Sequence, residues 1–174
     1  MIEIVAYDVL DRIFRGRVEL TADRVTDLLL AAEQLEFTDL AVTNLRTRTV
    51  EQHDRRSIAI RDLAIVVPSG PRGSIDRRVR GPQEPVSMLV HRYHVFGMAH
   101  APALHDPLLV AGSRRWAPVT SAVLEQHAAG RPVRERFDVL IVNRMYVTSM
   151  VRGTPEAHDM HWLAATPAQE AVVS

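Results

Sequence analysis

A pattern that recurs once, at an offset of about 80 residues, limits what this chain can fold into. The first occurrence opens with the stretch from Arg12 to Leu20 (RIFRGRVEL), which crosses Gly16. The second opens with Tyr93 to Ala101 (YHVFGMAHA), which crosses Gly97. In the same order, Val25-Thr26-Asp27-Leu28-Leu29 is answered by Leu104-His105-Asp106-Pro107-Leu108, and Phe37-Thr38-Asp39-Leu40-Ala41 by Val119-Thr120-Ser121-Ala122-Val123. Ala59 to Ala64 is answered by Val142 to Val147, which sets Arg61 opposite Arg144. Two diverged copies of one unit follow from this reading. Each copy alone is marginal in size, so the copies are expected to pack together or to oligomerise.

The unit is rich in strands. Residues 2–7 and 11–20 alternate apolar and polar, and 37–45, 57–67, 89–99 and 138–151 also read as strands. A glycine inside a strand marks a sharp bend. Thr21 is placed to cap a short helix over 22–34, with Val25, Leu28, Leu29 and Ala32 on one face. In the second copy Asp106 and Pro107 form a cap and first-position pair. Residues 122–129 look helical locally, whereas the repeat demands a strand. The strand is expected at the start of that segment, and its end stays open. Four Pro, three Gly and four Arg between Pro68 and Pro85 mark an exposed linker. The expected organisation is a first β-rich unit over 1–67, a linker over 68–87, a second unit over 88–152 and an acidic tail over 153–174. A helix capped by Thr154 is expected over 155–165 in that tail. The fold class is mainly β (α+β), with two tandem pseudo-symmetric small β-barrel-type units, each carrying a short helix.

Composition excludes several chemistries. All 21 basic residues are Arg, and the chain has neither Lys nor Cys. Lysine Schiff bases and a P-loop lysine are therefore ruled out. So are thiol nucleophiles, thiolate zinc sites and iron–sulfur ligation. No apolar run approaches membrane-spanning length, and the N-terminus does not read as a signal peptide, so a cytoplasmic protein is expected. Net charge is zero but unevenly spread. Residues 1–67 hold 9 Arg against 12 acids, and 88–153 hold 8 Arg against 4. The basic half suits either a polyanion or the acidic half of the chain.

The repeated segments G-R-V-E-L, R-V-T-D-L-L, L-E-F-T-D-L-A and I-R-D-L-A, with W-A-P-V-T-S-A and V-N-R-M-Y-V in the second copy, resemble a small bacterial domain family of unknown function. The resemblance covers most of both copies and brings no catalytic residues. More loosely, Ile60 to Ser69 resembles the closing strand pair of the Sm-like RNA-binding fold. That resemblance implies small bent five-stranded barrels, ring assembly and RNA binding. The acidic-then-Asn signature of the Sm-like family is absent here, and Ile60-Arg61 stands where its RNA-facing Lys-His pair would be.

Candidate sites are few. Arg72, Arg77, Arg78 and Arg80 cluster in the linker, and Arg114 and Arg115 precede Trp116. Guanidinium forks suit phosphates, and an adjacent aromatic can stack a base. Arg61 and Arg144 either line one shared cleft or guard strand edges. His91/His94 on a strand would point to opposite faces. His158/His161 on a helix would share a face, yet they lack the flanking Glu of a zinc motif. Neither a metal nor a cofactor is expected. No G-x-S-x-G elbow or dinucleotide fingerprint is present. The sequence thus points to a non-enzymatic binding, adaptor or assembly protein that acts through self-association or a protein partner. Nucleic-acid or nucleotide-phosphate binding through the arginines is the alternative, and a His/Asp metal-dependent enzyme the third reading.

Overall fold

The computed structural model describes residues 1–70, 82–100, 115–128 and 131–152. These form one antiparallel sheet of ten strands with a single short α-helix. The strands are β1 (Ile2–Asp8), β2 (Arg12–Val18), β3 (Gln34–Asn44), β4 (Thr49–Ala59), β5 (Leu63–Pro68), β6 (Gln83–Val90), β7 (Tyr93–His100), β8 (Trp116–Ala128), β9 (Arg131–Asn143) and β10 (Val147–Arg152). Their order across the sheet is β10-β6-β7-β8-β9-β5-β1-β2-β3-β4. The expected mainly β class is thus seen, but the described strands form one open sheet and not closed barrels. β5 gives its second edge to β9, through Ile65↔Val142 and Val66↔Ile141, and not to β4.

Both halves run in the same strand order and share three local devices. Gly16 on β2 and Gly97 on β7 each lie opposite two residues of the neighbouring strand, so the register shifts there. The extra residues, Asp39 and Ser121, have positive φ of 50° and 48°. This bulge flips the inward parity of β3: Leu35 and Phe37 are buried before it, Leu40 and Val42 after it. A Cβ on Gly16 would stand 3.0 Å from the Thr38 carbonyl oxygen, and one on Gly97 would stand 2.8 Å from that of Thr120. Close backbone approach thus requires glycine at 97, while at 16 a side chain would be tight but would ask its neighbours to give only slightly. The second device is a one-turn 3₁₀ helix before the last strand of each half, Ile60–Asp62 and Arg144–Tyr146. In the third, β5 shifts register against β1 at Ala64, and β10 shifts against β6 at Thr148.

Two cores follow from this arrangement. Val25, Leu28 and Leu29 of α1 (Val25–Ala31) join Ile4, Phe14, Phe37 and Leu63 in the first, which also takes Trp116 and Ile141 from the second half. Tyr7, Ile13, Ile65 and Val67 of the first half join Tyr93, Val95, Val119 and Leu140 in the second. All six residues of β5 are buried, since its two faces serve different cores.

Several expectations are corrected. α1 is shorter than 22–34, its N-cap is Arg24 and not Thr21, and Gln34 already begins β3. The stretches 57–67 and 138–151 are not single strands, because the 3₁₀ turns break them. Gln83 to Ser87 belongs to β6 and not to the linker. The ambiguous segment is strand through Ala128, since pairing with β9 along its length overrides local helical propensity. The helices expected after Asp106 and over 155–165 lie outside the described residues.

Candidate functional site

Two places stand out: a cleft between the halves and the free edges of the sheet. The cleft has a volume of about 700 Å³ and is lined by Leu29, Leu30 and Ala32 of the helix region and by Glu33 and Gln34 at the start of β3. Ala59, Ile60 and Arg61 at the end of β4, and Arg115 before β8, complete it. It forms because the Ile60 N–H donates to the Glu33 carbonyl at 2.9 Å, which ties the first 3₁₀ turn to the end of α1. On the other side the Arg144 N–H donates to the Arg115 carbonyl at 2.8 Å. Arg115 Nε donates to Asn143 Oδ1 at 3.4 Å, and Arg61 Nε lies 3.7 Å from Asp62 Oδ1. Two arginines thus line a mixed apolar and polar cleft, a setting that suits an anion carrying an apolar portion.

The sequence-selected residues divide sharply. Arg61 and Arg115 come together in the cleft. Trp116 is only 3% exposed and packs in the first core, so its ring is not presented for stacking, and its buried Nε1 has no partner among the described residues. Arg144 is half-buried, does not line the cleft, and opens the second 3₁₀ turn; Arg61 is the second residue of the first. Their equivalence is therefore off by one: Met145 stands where Arg61 stands. Both arginines sit on 3₁₀ turns and not along strand edges. Arg72, Arg77, Arg78, Arg80, Arg114, His158 and His161 lie outside the described residues. His91 occupies the β6–β7 turn with φ of 55°, and His94 Nδ1 lies 3.4 Å from Glu125.

Sequence reasoning missed the polar groups that join the halves. Asp11, in the β1–β2 turn with φ of 61°, accepts from Arg46 at 2.6 Å and from Arg92 of the β6–β7 turn at 2.5 Å. The Arg92 hydrogen bond outweighs burial, Arg46 adds to it, and the Asp11 carboxyl lies below the usual carboxylate range. The neighbouring Asp8, fully buried, accepts from the Leu10 and Arg12 backbone and from Arg12 Nε, which shapes the turn that presents Asp11. Asn143 Nδ2 donates to the Leu63 carbonyl at 2.9 Å, and Tyr146 OH donates to the Arg61 carbonyl at 2.6 Å. On the second half, burial pushes Glu125 up. Hydrogen bonds from Arg134 and His94 overcome this and hold its carboxyl lower than ordinary. Asp-x-x-Asp across the first turn was the one signal for the Asp11 clamp.

The free edges belong to β4 and β10, each of which has one neighbour among the described residues. β4 is exposed over most of its length and carries Glu51, His53, Asp54, Arg55 and Arg56, but it ends in the uncharged Ser57-Ile58-Ala59. No described helix is long and apolar enough to cross a membrane. Comparison with protein-family models, with curated proteins and with solved structures found no match.

Proposed function

We propose that this chain is a non-enzymatic binding and assembly protein that works by adding strands to the free edges of its sheet. The observation that carries the reading is the open ten-stranded sheet, in which β4 at one end and β10 at the other have a single neighbour among the described residues. A row of unpaired backbone N–H and C=O groups is a template for another strand. Natural edges are commonly blunted by charge, and on β4 the charges stop before Ser57. Absence of Lys and Cys from the sequence, which removes several catalytic chemistries, agrees with a binding role. We read the two halves as diverged copies of one five-stranded, Sm-like unit. The common strand order, the paired glycine bulges and the paired 3₁₀ turns support that reading.

Size-exclusion chromatography with light scattering tests the proposal, with 260/280 nm absorbance recorded on protein purified without nuclease. A discrete oligomer or a stoichiometric protein complex with a protein-only spectrum is expected. A turnover activity abolished by changing one His or Asp would overturn it.

A second reading has one observation in its favour: Arg61 and Arg115 line the same cleft. Under this reading the chain binds a nucleotide-type phosphate or nucleic acid there. Binding that weakens with salt and with Arg61→Ala/Arg115→Ala would support it. Binding indifferent to both would remove it.

A further inference from the structure

We infer that β10 of one copy docks on the end of β4 of a second copy, at Ser57–Ala59, and repeats between chains the junction that β5 and β9 make within one. This deepens the assembly reading and rests on it, since it names the partner and the register.

The internal junction supplies the geometry. It is heterologous: the last strand of the first half meets the fourth strand of the second. The same step applied again brings the last strand of one chain to the fourth strand of the next. A heterologous contact of this kind propagates head to tail. Both partners for the next step, β10 and β4, are unpaired among the described residues on the sides required.

Register follows from the shared devices. Ala59 and Asn143 both cap a 3₁₀ turn, and Leu63 and Val147 both follow one. The register shifts at Ala64 and Thr148 independently give the same alignment. Val142 and Ile141 of β9 then correspond to Ile58 and Ser57 of β4. Ile65 and Val66 of β5 correspond to Ser149 and Met150 of β10. The internal pairs Ile65↔Val142 and Val66↔Ile141 thus map to Ser149↔Ile58 and Met150↔Ser57 between chains.

Footprint and charge agree with this placement. The internal junction uses only the inner end of β9 and leaves the outer, mostly exposed stretch from Arg131 to Asp138 beyond the register pairs with β5. On β4 the corresponding outer stretch ends at Asp54; Arg55 and Arg56 stand where β9 has Val139 and Leu140, and the two positions that would pair, Ser57 and Ile58, carry no charge. Head-to-tail contact also sets the acidic first half, 9 Arg against 12 acids, beside the basic second half, 8 Arg against 4.

One difference sets the strength. Asn143 and Tyr146 donate to the Leu63 and Arg61 carbonyls inside the chain. Their counterparts on the β4 side are Ala59 and Asp62, so the junction between chains lacks both donors. It is weaker than the internal one and dependent on concentration.

The native chain has no cysteine, so introduced thiols report cleanly. Ser57→Cys and Met150→Cys are made in separate full-length chains, mixed and oxidised. Directly opposed antiparallel residues lie about 4.5–5.5 Å apart at Cα, within the disulfide range of about 4.4–6.8 Å. Arg55→Cys mixed with Met150→Cys is the out-of-register control, two residues or roughly 6.6 Å further along the strand. A disulfide-linked dimer for the 57/150 mixture, at least tenfold above the control, is expected. Ala59→Asn, which restores the missing donor, is expected to lower the association midpoint concentration roughly two- to tenfold. Oligomers by light scattering without the 57/150 link, or an Ala59→Asn midpoint that stays put or rises, would overturn this docking and leave the assembly reading standing. A strictly monomeric chain that captures a different protein on its edges would do the same. A strictly monomeric chain with no link and no such partner would overturn both.

Discussion

Replacing Gly97 by alanine tests whether the bulges set the bend of the sheet. The new Cβ would stand 2.6 Å from Val119 Cγ1, 2.8 Å from the Thr120 carbonyl oxygen and 3.1 Å from Ala122 Cα. None of these groups moves easily. Val119 is fully buried and β-branched, hence stiff at χ1, and the other two atoms are backbone held in the bulge. Overpacking of this kind costs about 1–3 kcal/mol. Alanine recovers about 0.4–1 kcal/mol by restricting the unfolded chain. Contacts under 3.0 Å to stiff groups put the overpacking near the top of that range, so the expected net loss is about 2 kcal/mol. For a chain of 174 residues that lowers Tm by roughly 4–8 °C. Gly16→Ala is the internal comparison. Its Cβ would meet Thr38 O at 3.0 Å and Leu40 Cα at 3.2 Å, so neighbours give by a few tenths of an ångström. The same two terms then nearly cancel, leaving about 0–1 kcal/mol. Urea denaturation followed by circular dichroism measures both. Equal losses, or a larger loss at Gly16, would refute the claim that close backbone approach makes Gly97 obligatory.

Three further outcomes are expected. Asp11→Asn keeps a residue that tolerates positive φ but weakens the tie to Arg92 and Arg46. Urea unfolding at neutral pH should show a loss of about 1–2 kcal/mol, discounted because the Arg92 and Arg46 side chains are exposed to solvent. Since the Asp11 and Glu125 carboxyls lie lower in the folded chain, their contribution is full above the ordinary carboxylate pKa and is lost as pH falls through the folded value; Asp11→Asn should therefore flatten the decline of stability below about pH 4. Burial pushes the Tyr93 hydroxyl up to about 12, and it finds no hydrogen-bond partner among the described residues, so Tyr93→Phe should leave stability unchanged or raise it by about 1 kcal/mol in thermal melts, and a clear loss would show that the hydroxyl is satisfied. Finally, urea unfolding of the full chain should give one transition in fluorescence and circular dichroism alike, and two separated transitions would contradict the shared role of β5.

What the sequence reveals and conceals has physical causes. Gly16 and Gly97 announced their bends because a glycine inside a strand marks a place where two backbones come close, more tightly at 97 than at 16. Val25, Leu28, Leu29 and Ala32 announced one helical face, and the three leucine and valine positions are buried. β4 gave no such signal, because an edge strand that is exposed on most residues needs no alternation. The tract from Ala122 to Ala128 reads as helix by propensity and becomes strand because β7 and β9 flank it. Of the candidate site, Arg61 and Arg115 were legible as arginines, but not their meeting. The Asp11–Arg92 clamp joins turns 81 residues apart, and no local pattern encodes such a distance.

The chain is readable as two copies, yet it cannot function as two independent ones, and β5 is the reason. Leu63 and Val66 face the first core, while Ile65 and Val67 face the second. Trp116 and Ile141 cross in the other direction, from the second half into the first core. Separation at the 68–82 connection would therefore strip β5 from the second core and expose one edge on each half. Those edges, of β5 and β9, are the ones that Asn143 and Tyr146 equip with donors. The edges without a second neighbour among the described residues, of β4 and β10, carry no such donors at the corresponding positions. Under the proposed docking, a chain whose junctions were all equally strong would polymerise without control; the donors of Asn143 and Tyr146 at the internal junction would instead make the pair of halves the repeating block and leave a weaker contact for joining blocks.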